Sequence, residues 1–401
     1  MKACVISLGC PKNLCDSEVL MGKLAQAGYA LTTKESEADI IIVNTCAFLK
    51  SARQEAKEVL RSLRKYRSKI YMAGCLPRYL DSSSGGALPV DGIIDSIGLF
   101  GCSTPRIKAT PPWTAYIKIS EGCNNHCSYC LIPKIRGRLR HRKVTDIVKE
   151  ARDLAGRGVK EIIYVAQDTT AHPNFPEILK KTAKIRGLKW IRIMYTHPAH
   201  ISKKLLDVIQ KEKKIVKYLD LPIQHSHDKI LRLMNRPYTG RKITRLICEI
   251  RRRIPKITLR TSLIVGFPGE TDADFKSLFS FIKETRFERL GVFPYSREIG
   301  TPAAKLRGQV PEKIKKARFH KLMQLQKRIS WETNKAMIGK IVEILIEGRR
   351  GKYFVGRSAF DAPEIDGSVM IKSNSRLMAG EIKKARIISA RAYDLVVRLV
   401  T

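Results

Sequence analysis

The segment Glu121-Gly122-Cys123-Asn124-Asn125-His126-Cys127-Ser128-Tyr129-Cys130 sets three thiols in a C-x3-C-x2-C spacing. Three thiolates on one tight loop can hold three corners of a cubane iron–sulfur cluster, which leaves the fourth iron open to a substrate or cofactor. Zinc is the competing reading, with His126 as fourth ligand. Structural zinc loops usually bring a second, distant ligand pair, and none follows here. A simple electron carrier would prefer four cysteines per cluster.

A second group is spread along the chain. Cys10, Cys46 and Cys75 each lie just past the C-terminal end of an expected strand, in the turn-forming contexts Leu8-Gly9-Cys10-Pro11, Asn44-Thr45-Cys46 and Gly74-Cys75. In an open parallel sheet such ends converge on one crevice. The three can therefore meet and share a metal group; three unrelated thiols are the alternative. Cys4, Cys15, Cys102 and Cys248 read as small buried hydrophobes.

The elements that would position these residues are legible from patterning. Apolar runs at 2–8, 39–44 and 69–73 alternate with helical patterns at 16–27 and 52–66. That alternation predicts an N-terminal open parallel α/β sheet domain over 1–108. A loop composition at 82–86 precedes the boundary, and a second at 103–113 holds it. Over 109–336 the pattern repeats at larger scale, with strands at 115–119, 161–166, 189–194, 216–221, 258–265 and 290–293. Helical patterns at 145–157, 241–253 and 272–285 separate some of them, and a basic amphipathic helix spans 311–337. This predicts a partial (β/α) barrel with its active site at the C-terminal strand ends. Gln167 and Asp168 end one such strand. Gly266 ends another, where a glycine would let a nucleoside lie against the backbone; a plain strand-to-helix turn, with Glu270 and Asp272 at the helix start, explains it equally. His225 and His227 read as loop histidines held by hydrogen bonds, with catalysis by either as the alternative. Residues 337–401 alternate short β-rich runs (341–347, 368–371, 384–389 and 394–399) with glycine turns, which predicts a small β-barrel. The fold class is α/β with three domains.

Composition narrows the setting. Lysine and arginine number 76 against 37 acidic residues, a formal net charge of +39. Such charge suits a polyanionic neighbour, RNA or the ribosome, unless the whole proteome of the source is basic. No stretch is apolar for the ~18 residues of a membrane span, and the N-terminus lacks a signal peptide's apolar run. A cytoplasmic location without membrane contact follows as the expectation. Thiols stay reduced there, so ten cysteines are metal ligands and bystanders rather than disulfides.

The C-x3-C-x2-C loop resembles that of the radical S-adenosylmethionine superfamily. The resemblance implies that the open iron binds the methionine end of the cofactor, and that Tyr129 packs near the adenine. Ile6-Ser7-Leu8-Gly9-Cys10-Pro11-Lys12-Asn13, Asp16-Ser17-Glu18, Asn44-Thr45-Cys46 and Ala73-Gly74-Cys75-Leu76 are similar to the N-terminal domain of the methylthiotransferases. That family implies two 4Fe–4S clusters, the second held by Cys10, Cys46 and Cys75 and carrying the sulfur that is inserted into a carbon–hydrogen bond. One S-adenosyl-L-methionine methylates that sulfur and another yields the radical that takes hydrogen from the substrate. A cellular electron donor is implied as a partner.

Two branches of the family compete. One modifies an aspartate β-carbon in the twelfth protein of the small ribosomal subunit, free or in the subunit; the other modifies adenosine in transfer RNA. Ala166-Gln167-Asp168-Thr169, Gly291-Val292-Phe293-Pro294-Tyr295-Ser296-Arg297-Glu298, and Gly356-Arg357-Ser358 followed by Asp361-Ala362-Pro363-Glu364-Ile365-Asp366-Gly367 resemble the ribosomal-protein branch. The C-terminal segment would be a TRAM-like barrel. Its carboxylates Asp361, Glu364 and Asp366 read as a substrate-binding loop that suits a basic protein and repels phosphate; a solvated turn is the plain alternative. RNA contact elsewhere stays open, as does a non-catalytic iron–sulfur RNA-binding protein. The family usually follows Ala166-Gln167-Asp168-Thr169-Thr170 with Tyr-Gly and an acidic residue; here Ala171-His172-Pro173-Asn174 stands instead, and the 75-to-123 linker is short.

Overall fold

Ile40-Ile41-Ile42-Val43 is buried along its whole length, as a strand covered on both faces must be. It belongs to the first of two units into which the computed structural model divides: Met1–Asn174 with Ser296–Lys305, and Phe175–Tyr295 with Leu306–Thr401. Residues 1–80, 88–98, 106–373 and 376–400 are described. The loop expected at 82–86, the start of that at 103–113, and Cys102 lie outside them.

The first unit begins β1 (Lys2–Ser7), α1 (Pro11–Gln26), β2 (Ala30–Leu31), β3 (Ile40–Thr45), α2 (Lys50–Ser62), β4 (Lys69–Gly74), α3 (Cys75–Leu80) and β5 (Gly92–Ile94). It continues with β6 (Thr114–Lys118), β7 (Ser120–Glu121), α4 (Ile132–Arg136), β8 (Arg140–His141), α5 (Val144–Gly156) and β9 (Glu161–Val165). The first five strands make the expected parallel sheet, in the order β2-β1-β3-β4-β5. β6 and β9 pair in parallel. Leu131 and Ile135, at and within α4, join the core formed by Ile41, Val43, Leu60, Ile70, Met72 and Leu76. The chain that follows the C-x3-C-x2-C loop is thereby anchored in the N-terminal sheet's core.

The second unit runs α6 (Phe175–Ala183), β10 (Trp190–Ile193), α7 (Lys203–Lys211), β11 (Ile215–Asp220), α8 (Asp228–Leu233), α9 (Gly240–Arg253), β12 (Thr258–Val265), α10 (Asp272–Thr285), β13 (Arg289–Pro294) and α11 (Glu312–Lys335). β10 to β13 pair in parallel in sequence order; with β6 and β9 they account for the six strands expected. α10 starts on a capping box, in which Thr271 accepts from the Asp274 N–H and Asp274 accepts from the Thr271 N–H.

β14 (Ile341–Arg350), β15 (Tyr353–Ser358), β16 (Val369–Lys372), β17 (Ile382–Ala390) and β18 (Leu395–Leu399) close a barrel in the order β14-β15-β16-β18-β17. Its core takes alternate residues, Val342, Ile344 and Ile346, then Val369 and Ile371, Ala385 and Ile387, Leu395 and Val397. Patterning found four of these strands and missed β15. Gly356, Arg357 and Ser358 dilute its alternation, although Arg357 and Ser358 are buried.

Candidate active site

The N-terminal triad is built by three strand ends. Cys10 is the N-cap of α1, extended at φ −92° and ψ 166°, with Pro11 fixing the first helical position. Cys46 follows β3, and Cys75 opens α3 directly after β4. The turns must approach closely. A Cβ on Gly9 would stand 2.6 Å from that of Cys46 and 3.1 Å from its Sγ. Asn13, one turn into α1, ties the ends together: its Nδ2 donates to Leu8 O at 3.0 Å and Thr45 O at 2.8 Å. Its Oδ1 accepts from Cys75 Sγ at 3.7 Å. Burial pushes the Cys75 thiol up to about 11 and raises Cys46. Burial also acts to raise Cys10, but Lys12, Arg136 and the N–H groups at the start of α1 outweigh it and hold that thiol below its ordinary value.

The second triad lies on the loop between β7 and α4. Cys123, Cys127 and Cys130 are all partly exposed. The Asn125 N–H donates to Cys123 Sγ at 3.4 Å, and the Ile132 N–H to Cys130 Sγ at 3.4 Å. Such N–H···S bonds suit thiolate ligands of an iron–sulfur cluster. The loop is held from several sides: Asn124 accepts from the Leu139 N–H at 3.0 Å, and the Ala303 N–H donates to Ser128 O at 2.8 Å. Tyr129 is half-buried between Cys127 and Cys130, and His126 is exposed.

Between the triads lies a group of buried charges that sequence reading missed. Lys118 Nζ bonds to Asp16 and Glu121. Arg136 NH1 donates to Asp16 Oδ2 at 3.2 Å and Glu121 Oε1 at 2.9 Å, and NH2 donates to Asn13 Oδ1. The four side chains are at most 3 % exposed. Burial acts against Glu121's charge, but Lys118 and Arg136 prevail and bring its carboxyl down to about 2. A neighbouring chain links Glu18 to Arg106 and Arg106 to Glu150, which also pairs with Arg142 at 2.6 Å. The Asp16-Ser17-Glu18 segment thus owes its two acids to buried ion pairs. The available signal was Lys118, a cation inside an otherwise apolar strand.

Gln167 and Asp168 follow β9 as expected, with different surroundings. Both polar atoms of the Gln167 amide are buried without a hydrogen bond, which a bound molecule could satisfy. Asp168 accepts from Asn125 Nδ2 at 2.9 Å, Thr170 Oγ1 at 2.8 Å and the Ala171 N–H at 3.1 Å. It braces the cysteine loop.

Two expectations about the second unit need revision. Gly266 has φ +68°, but a Cβ there would lie 2.3 Å from Lys315 Cγ. A side chain of α11 fills the space that was expected to face a nucleoside. The C-terminal loop does not present three carboxylates to a substrate. Asp361 pairs with Arg289 at 2.6 Å and accepts from Ser358 Oγ at 2.5 Å. Asp366 accepts from Tyr218 OH at 2.6 Å and stands 3.6 Å from Arg260. The side chains of Asp361 and Asp366 are at most 3 % exposed and neutralise Arg289 of β13 and the largely covered Arg260 of β12; Glu364 remains exposed. These carboxylates fasten the barrel to the parallel strands. Outside these sites, His225 is buried and its Nδ1 accepts from the His227 N–H at 3.0 Å, whereas Cys248, expected to be buried, is exposed.

Three family models match the chain: an uncharacterized protein family designated UPF0004 over residues 2–94, the radical SAM superfamily over 117–282, and the TRAM domain over 338–400. The ribosomal protein uS12 methylthiotransferase RimO of Pelotomaculum thermopropionicum is 42% identical, over 98% of this chain and 98% of its own. That of Geotalea uraniireducens is 43% identical, over 100% of this chain and 98% of its own. Among solved structures, the radical S-adenosylmethionine methyltransferase TsrM of Kitasatospora setae, with cobalamin and a 4Fe–4S cluster bound, superposes with a TM-score of 0.56 at 14% identity. It covers 76% of this chain and 77% of that one, and shows a shared fold.

Proposed function

The chain belongs to the ribosomal protein uS12 methylthiotransferase family, and from that premise we propose that it inserts a methylthio group at the β-carbon of an aspartate in uS12, using six cysteines as cluster ligands. The observation that carries the reading is full-length identity above 40% to enzymes of that name. The family makes the chain a radical S-adenosylmethionine, iron–sulfur enzyme. The bound clusters and cofactor supply the one-electron chemistry, the sulfur and the methyl group.

Cys123, Cys127 and Cys130 hold the cluster that binds S-adenosylmethionine. Their spacing, partial exposure and N–H···S bonds support this. Cys10, Cys46 and Cys75 hold the second; Gly9's approach to Cys46 and the bond from Cys75 to Asn13 support it. Gln167 binds the cofactor through its otherwise unsatisfied amide, and Tyr129 lies beside the adenine. Asp168 orients the loop through Asn125. We divide the chain at 108/109 and 336/337, which keeps each matched family segment whole. A one-electron donor protein and RNA contact through the C-terminal barrel complete the proposal. The choice of uS12 over transfer RNA rests on the relatives, since Asp361 and Asp366 are committed to arginines.

The test is anaerobic reconstitution with iron, sulfide, S-adenosylmethionine and dithionite, with uS12 and bulk transfer RNA offered together. Mass spectrometry should find a methylthio gain on one uS12 aspartate and none on RNA. A methylthioadenosine instead would overturn the substrate and leave the enzyme class.

A further inference from the structure

Neither triad needs the buried charges between them in order to present thiols. Buried ion pairs carry a desolvation cost that their attraction repays poorly, and apolar side chains of similar volume often do as well. Here two cations and two carboxylates are buried where the segments that carry the triads meet. Asn13 and Asp16 lie on α1, which Cys10 caps; Lys118 and Glu121 lead into Cys123; Arg136 follows Cys130 on α4. The group is neutral as a whole but directional. Its member nearest the N-terminal triad by contact is Arg136, which bonds to Asn13, the residue that also accepts from Cys75.

We propose that Arg136 is a positioning residue that sets the reduction potential of the cluster held by Cys10, Cys46 and Cys75, so that the loop of the first cluster controls the electronics of the second. The proposal rests on the reading of both triads as cluster sites. A cubane cluster on three thiolates is anionic and gains one further negative charge when it takes an electron. A fixed cation beside it favours the reduced form and raises its potential, and burial leaves that field poorly screened. The guanidinium keeps its charge throughout. Its charge favours the thiolate at Cys75 most, where it is the largest influence after burial, and acts in the same direction at Cys10 and Cys46. Asp16 and Glu121 hold the guanidinium in place and balance its charge.

The test uses the full chain with Cys123, Cys127 and Cys130 all replaced by alanine, so that one cluster reports. It is reconstituted anaerobically and titrated with dithionite while electron paramagnetic resonance follows one-electron reduction. Arg136→Gln should move the midpoint to lower potential with iron content unchanged, and Arg136→Lys should keep it near the parent. Glu121→Gln, which leaves a surplus cation, should raise it. The double variant Arg136→Gln/Glu121→Gln restores neutrality and should return toward the parent. Equal midpoints across a set that still binds iron would overturn the proposal and reduce Arg136 to a structural tie. If Arg136→Gln fails to fold, the opposite shift of Glu121→Gln decides. If the parent itself binds no cluster, the assignment of the N-terminal triad has failed instead.

Discussion

At Gly9 the backbone has φ +93°, and an added Cβ would stand 2.6 Å from that of Cys46. Gly9→Ala therefore meets both backbone strain and a clash, at about 1–3 kcal/mol for the strain alone. We expect the purified, reconstituted variant to lose the N-terminal cluster and keep roughly half the iron, with the C-x3-C-x2-C cluster still able to cleave S-adenosylmethionine. Cys123→Ala should show the reverse pattern, with about half the iron and no cofactor cleavage. Iron analysis and 5′-deoxyadenosine release check both. Loss of nearly all the iron from either variant, or loss of cofactor cleavage from both, would contradict separate sites. Both triads can be proposed from the sequence, one from its C-x3-C-x2-C spacing and the other from three cysteines at expected strand ends. Arg136 cannot be: its partners Asp16 and Glu121 lie 120 and 15 residues away, and no local pattern announces a pairing across such distances.

Elements are fastened by buried charges that look like surface turns in the sequence. Asp361 reads as part of an acidic turn, yet it neutralises Arg289, which lies 72 residues earlier on β13. Asp361→Asn leaves that buried arginine without its anion and should cost about 3–5 kcal/mol. Glu364→Gln, on the exposed tip of the same loop, should stay within about 0.5 kcal/mol. Chemical denaturation separates the two outcomes, and equal effects would refute the fastening role. A second element-scale prediction concerns the turn before α8. Burial brings the imidazole of His225 down to about 3, against roughly 6.5 in an unfolded chain. Between those values the unfolded chain binds a proton that the native one refuses. This contribution to stability is therefore full above about pH 6.5 and declines as pH falls toward 3. His225→Asn should be less acid-sensitive than the parent, by about 2 kcal/mol between pH 7 and pH 5. Parallel stability curves would contradict it.

At the scale of the molecule, patterning gave the order of the architecture because each region has its own period: strand–helix alternation twice, then short strands with glycine turns. Its misses share one cause. β15, the role of the acidic loop and the use of Gly266 all depend on what lies opposite in space, Leu345 and Arg289 and Lys315, which a reading along the chain does not contain. The formal charge of +39 fits a ribosomal setting, and among the described residues no helix is long and apolar enough to cross a membrane. The central claim is that this chain modifies uS12 through two separately held clusters. The most direct measurement is the mass of uS12 from bacteria that lack their own such enzyme and express this chain. Wild type should restore a methylthio gain on one aspartate, and neither Cys10→Ala nor Cys123→Ala should. An unmodified uS12 beside wild-type protein with both clusters, or a modified one beside either variant, would contradict the account.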